Sequence, residues 1–175
     1  MRAVLLFTLI VVPGMAQGQG GPLSRTAEHE RLDFLVGEWQ TTVAPLQEGG
    51  EQLHGVMSCA WRIGGLWLEE RIRLEFPGRG VRESLELITY DPSRKMYVGT
   101  WQDNLSARST PFVGEWLEDG TFVMTANLQG ADGNSVSTTV RYTRISDTEI
   151  HMEQFVTTRA DAPRLVFKQV LRKTS

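Results

Sequence analysis

From residue 38 to residue 173 the chain is a succession of short segments in which apolar and polar residues alternate. Each segment ends in a turn signal, and none carries a helical period. The clearest is WLEERIRLEF (67–76): Leu68, Ile72, Leu74 and Phe76 share one face with Glu70, and Glu69, Arg71, Arg73 and Glu75 share the other. A period of two with one wet face describes a half-buried antiparallel strand. In QLHGVMSCAWRI (52–63), Leu53, Met57, Cys59, Trp61 and Ile63 fall opposite His54, Ser58 and Arg62. Turn signals at PGRG (77–80), DPSR (91–94), EDG (118–120), ADGN (131–134), SDT (146–148) and ADAP (160–163) separate these segments, and Gly64-Gly65 reads as a tight connection. Counted from EWQTTVAP (38–45) to RLVFKQVLRK (164–173), there are about ten strands.

Loops this short leave no room for parallel crossovers, so neighbouring strands pair antiparallel. A flat sheet would leave two open edges, which closure removes. The expectation is an all-β, antiparallel up-and-down barrel, with a two-sheet sandwich as the other arrangement. Barrels wider than about eight strands tend to enclose a cavity.

The stretch LDFLVGEWQ (32–40) is the one place where the pattern differs. Thr26 has the chemistry of a helix N-cap, and Leu32, Leu35 and Val36 fall on one helical face. Gly37 then ends the helix where positive φ is needed, and Trp39 opens the first strand. We expect this short N-terminal helix to plug one end of the barrel and Trp39 to seal it. Arg172 or Lys173 from the last strand would lie over the indole, so Gly37, Trp39 and Arg172 are the expected closure residues.

Composition bounds the surroundings. Residues 1–18 begin with Arg2, run apolar from Ala3 to Val12, break at Pro13-Gly14 and end in small residues, the pattern of a secretory signal peptide cleaved after Ala16 or Gly18. About ten apolar residues are too few to span a bilayer as a helix, so no membrane anchor is expected after cleavage. Residues 19–25 read as a flexible leader and 26–175 as a single domain, exported to the periplasm or the cell exterior. A net charge of −3 argues against a nucleic-acid partner. The single cysteine, Cys59, forms no internal disulfide and reads as a buried core thiol.

The remaining candidates belong to a barrel interior. In YVGTWQDN (97–104), Tyr97, Gly99, Trp101 and Asp103 share a face, with Gly99 leaving room between two aromatics. Trp101 fits either a cavity wall or a packed core. Asp103 either meets a ligand at the barrel mouth or caps its own turn beside Asn104. Trp67 and Trp116 complete the aromatic candidates, although Trp67 competes with Leu68 and Ile72 on the opposite face of its strand. Glu70 shares parity with apolar neighbours, and an inward carboxylate needs a partner or a ligand. Of the three histidines, His29 reads as solvated and His54 as outward, while His151 alternates with Glu149, Glu153 and Phe155 on a face that the sequence leaves open, and would be the ligand only if haem bound. No nucleophile–base grouping and no zinc spacing is present, and Glu69-Glu70 point to opposite faces. No metal and no cofactor are therefore expected.

Four stretches together carry a resemblance: HERLDFLVGEWQ (29–40), WRIGGLWLEERIR (61–73), LITYDPSRKMYVGTWQDN (87–104) and VRYTRI (140–145). The Gly-x-Trp start resembles that of the calycin-like barrels, which include lipocalins, fatty-acid-binding proteins and nitrobindin-like haem proteins. The whole set resembles the bacterial family called domain of unknown function 1579. The resemblance implies a closed or nearly closed barrel and assigns no activity. Nitrobindin-like proteins use a histidine near the chain end, where this sequence has Lys168 and Gln169. The function expected is binding of a small hydrophobic molecule in the barrel. The alternatives are a cavity-based isomerase or hydrolase using Asp103, Glu70 or His151, and a partner-binding envelope protein with a filled interior.

Overall fold

Ten antiparallel strands close into a ring in the computed structural model, which describes residues 23–46, 50–129, 135–158 and 161–174. The proposed signal segment, the first part of the leader, the ADGN turn and Ala160 of the ADAP turn lie outside the described residues. The strands are β1 (Gly37–Val43), β2 (Leu53–Arg62), β3 (Trp67–Phe76), β4 (Gly80–Asp91) and β5 (Met96–Asp103), then β6 (Thr110–Trp116), β7 (Phe122–Gln129), β8 (Ser135–Arg144), β9 (Glu149–Thr158) and β10 (Arg164–Lys173). Each pairs with its neighbours in sequence, and β1 pairs with β10 to complete the ring. The expected up-and-down barrel is therefore the observed one.

Alternation decides what faces inward. On β3 the burial of Leu68, Glu70, Ile72 and Leu74 against exposed Arg71, Arg73 and Glu75 follows the sequence reading. On β2, Met57 and Cys59 are buried, but Ile63 leaves the strand for the turn, takes a φ of +49° and is largely exposed. The parity predicted for Ile63 fails because the connection to β3 begins one residue earlier.

The N-terminal element is shorter than the sequence reading implies. Helix α1 spans only Ala27–Glu30, and a separate 3₁₀ turn covers Asp33–Leu35. Leu32 and Leu35 are fully buried as a cap on the barrel end. His29, expected in solvent, is buried instead. A one-turn helix lying across the barrel end turns this side inward, where His29 meets the rings of Trp61 and Tyr90 edge-on at 6.0 and 6.1 Å. Its Nδ1 accepts the Thr26 backbone N–H at 3.2 Å, so the ring closes the capping box in place of the usual Glu or Gln.

Gly37 carries the chain from this cap into β1 with φ +136°, and a Cβ there would sit 2.6 Å from Cε of Lys173. Trp39 is buried, and its indole N–H donates to the Leu35 carbonyl at 2.8 Å, tying the first strand to the plug. The cation over the indole is Lys173, with Nζ 5.2 Å from the ring centroid. Arg172 is corrected by parity: it pairs with Gln40 in register, points outward and meets Glu149 at 3.2 Å. Inward-facing Leu171 shares its face with Lys173, which stands opposite Trp39.

Candidate functional site

The barrel interior has two unlike halves. At the plugged end, Trp39, Leu68, Ile88, Phe122, Tyr142, Ile150 and Leu171 are fully buried in one core with Leu32 and Leu35. Toward the opposite end the inward side chains stand apart and leave a cavity of about 60 Å³ that opens at the mouth. Trp101, Phe112, Phe167, Met124, Met152 and Leu74 supply most of the apolar wall. Gly99 helps shape it: a Cβ there would lie 2.4 Å from Cζ of Phe112 and 2.2 Å from the Leu87 carbonyl oxygen. The Phe112 ring fills the space a side chain would take, which places an aromatic wall beside Trp101 on the next strand.

Polar groups are distributed by depth. At the mouth, Arg82 donates to Asp103 Oδ2 at 3.2 Å, and its guanidinium lies 5.3 Å from the Trp101 ring centroid. Asp103 Oδ1 also accepts the backbone N–H groups of Leu105 and Ser106, both at 3.1 Å, so this residue caps its own turn as well. Along the far wall, Gln154 donates to Thr138 Oγ1 at 2.9 Å. Gln169 accepts from Thr41 at 3.1 Å and donates to the Met152 sulfur at 3.0 Å.

At the floor two carboxyl groups face each other. Strand register sets Glu70 opposite Glu86, and both are buried. Tyr142 reaches across from β8 and donates its hydroxyl to Glu70 Oε1 at 2.9 Å. Glu70 Oε2 and Glu86 Oε2 are buried and have no hydrogen-bond partner among the described residues. Removal from water pushes the Glu70 carboxyl up to about 7, against the pull of the Tyr142 hydrogen bond. Burial raises Glu86 well above the usual carboxylate range, and the Glu70 charge adds to this while Arg82 opposes it. The same field acts on Cys59, which pairs with Glu70 on β2: burial and then the two glutamates push its thiol up. Two carboxyls set opposite each other in a dry floor disfavour ionisation of both at once.

The structure sorts the sequence candidates. Trp101 lines the cavity, Glu70 lies behind the lining and Asp103 stands at the rim. Trp67 faces out, paired with exposed Arg62 on β2, because its neighbour Leu68 takes the inward position. Tyr97 and Trp116 face in but belong to the plugged end. Tyr97 donates to the Glu28 carbonyl at 2.8 Å and accepts the Trp116 N–H at 3.0 Å, while Trp116 meets the Phe34 ring at a tilt of 58° with Arg31 over its own ring at 4.7 Å. His151 points away from the cavity and bonds Glu149 at 2.9 Å.

Sequence reasoning missed Glu86. Its strand is patterned inside out: Val81, Leu85 and Leu87 lie on the outer face, while Arg82, Ser84 and Glu86 turn inward with Ile88 and Tyr90. The signal was available through register. Glu86 lies five residues before Asp91 at the β4–β5 turn, and the PGRG turn sets it opposite Glu70.

A family model described as a protein of unknown function (DUF1579) matches residues 24–173. Comparison with curated proteins gives no match.

Proposed function

The chain belongs to the DUF1579 family, and for this member of it we propose that the open half of the barrel binds a small, largely apolar molecule in a protein exported from the cell. The observation that carries this reading is the contrast inside one barrel. One end is packed and capped, and the other keeps an aromatic-lined space with polar groups at its rim and floor. An apolar concavity with a few placed polar groups is the usual form of a small-molecule site. Export rests on the signal-like residues 1–18.

Two measurements test the reading. Protein purified from its own host is weighed by native mass spectrometry before and after denaturation, and the recombinant protein is titrated with an environment-sensitive apolar dye. A mass difference or saturable dye binding is expected, with the dye displaced in Ala126→Phe, which fills the cavity while the melting transition is kept. An identical mass in both states, together with no dye binding by the folded protein, overturns it. Export is tested by fractionation: mature protein in the cytoplasm with residues 1–18 intact removes that part.

A second reading, acid–base chemistry in the cavity, draws on the raised Glu70 and Glu86 carboxyls. Turnover of an ester or enolisable ketone panel that is lost in Glu86→Gln would support it. Unchanged turnover in Glu86→Gln would remove it.

A further inference from the structure

Building on the cavity reading, we propose that the ligand enters with a basic nitrogen first and that the Glu86–Glu70 pair receives it, so that the protein selects apolar amines over fatty acids. The floor presents acceptors that nothing in the fold uses. Glu86 Oε2 and Glu70 Oε2 are buried without a partner among the described residues, and Glu86 lines the cavity. Two carboxyls on adjacent strands, held opposite each other in register, form an acidic floor into which an ammonium can donate. A buried acceptor left without a donor costs free energy, and a ligand that supplies the donor recovers it.

The surroundings fix the sign of the preference. The groups facing Glu86 are Glu70 on β3, Tyr142 on β8, Cys59 on β2, and Arg82 with Asp103 at the mouth. Tyr142 spends its hydroxyl on Glu70 Oε1, and Arg82 gives a terminal nitrogen to Asp103 and lies over Trp101 while its Nε has no partner, so among the described residues no cation is bonded to the floor carboxyls. A fatty-acid carboxylate inserted head first would meet two acidic groups and lose its hydration. A divalent metal is a poorer match than an amine, because among the described residues no group of three His, Cys, Asp or Glu side chains can hold one.

The test uses three probes with one chain length: octylamine, octanol and octanoic acid. Binding is read by calorimetry and by Trp fluorescence, with the wild type and Glu86→Gln. The wild type is expected to bind octylamine about tenfold or more tighter than octanol, with octanoic acid weakest at neutral pH. The amine preference grows from about pH 5 to about pH 8, as the carboxyl pair gives up its proton while the amine keeps its own. Glu86→Gln brings octylamine down to the level of octanol. If Glu86→Gln does not fold, the pH profile of the wild type decides the matter alone. Octanoic acid binding as tightly as the amine, above all if lost in Arg82→Gln, overturns the proposal and leaves the cavity reading standing. So does an amine preference that survives in Glu86→Gln or falls as pH rises. Failure of all three probes to bind takes down both readings together.

Discussion

The plugged half and the open half of this barrel are built from the same strands by the same alternation, yet they treat polar atoms in opposite ways. At the plugged end the inward aromatic donors have found partners inside the protein: the Trp39 N–H on Leu35, the Tyr97 hydroxyl on Glu28, the Trp116 N–H on Tyr97. In the open half the floor carboxyls keep acceptors unused and the apolar wall keeps space unfilled. Close packing and satisfied hydrogen bonds are what stability asks of an interior. Unused carboxyl acceptors beside unfilled apolar space in an otherwise well-packed barrel are where a ligand belongs.

The division is open to attack in order of size. Trp39→Ala removes the largest buried side chain of the plug and its bond to Leu35, and should lower unfolding stability by about 3–5 kcal/mol in chemical denaturation. Dye affinity of the surviving folded protein should stay unchanged; selective loss of binding in a stable variant would dissolve the distinction between the two ends. The next effect is in pH. The folded-state Glu70 carboxyl sits near 7 against an ordinary 4.5, so the folded protein holds a proton that the unfolded chain releases. That contribution is fully present below about pH 4.5 and is lost as pH rises through about 7, amounting to roughly 3 kcal/mol. Glu86 acts in the same direction. Glu69, Asp91, Asp119 and Glu149 are shifted down and act oppositely, below their ordinary range. Stability measured by urea titration should therefore peak near about pH 5, and the fall on the alkaline side should shrink in Glu70→Gln. A stability that climbs toward neutral pH would mean that the floor is wetter than its burial implies.

Smaller effects sharpen the boundary. Tyr97→Phe deletes the hydroxyl that joins Glu28 to Trp116 and should cost about 1–2 kcal/mol in thermal denaturation without altering dye binding. Trp101→Ala is its mirror image: a stability change of about 1 kcal/mol, with dye affinity lowered about tenfold. If Tyr97→Phe weakened binding as much as Trp101→Ala, the site would extend into the plug.

The fold was legible because one signal repeats along the chain. Strand alternation and turn residues specify antiparallel neighbours, and closure follows from the need to remove edges. The site was legible only in part. Trp101 and Glu70 could be placed by parity within their own strands. Glu86 needed cross-strand register, and its strand hides apolar Leu85 and Leu87 on the outside. Alternation alone therefore assigns the wrong face to β4. Its inversion is itself informative, since a strand turns polar residues inward only where the interior holds something other than packed hydrocarbon. The plug residues Tyr97 and Trp116 resembled cavity residues because an inward aromatic has the same parity at either end of the barrel. Only depth along the axis separates them, and depth comes from the register of ten strands together.

The seam between β1 and β10 has a consequence for how the molecule comes into being. Thr41 and Gln169, bonded across it, are 128 residues apart in the chain. All other strand pairs join sequence neighbours and can zip as hairpins, but the ring shuts only when its last strand arrives. Until then β1 and β10 each offer an unpaired edge, and the long-range closure makes folding slow relative to a helical protein of this size. A chain truncated within β10 should therefore collect as an aggregation-prone open ribbon, so quality control of this protein rests on its final ten-residue strand.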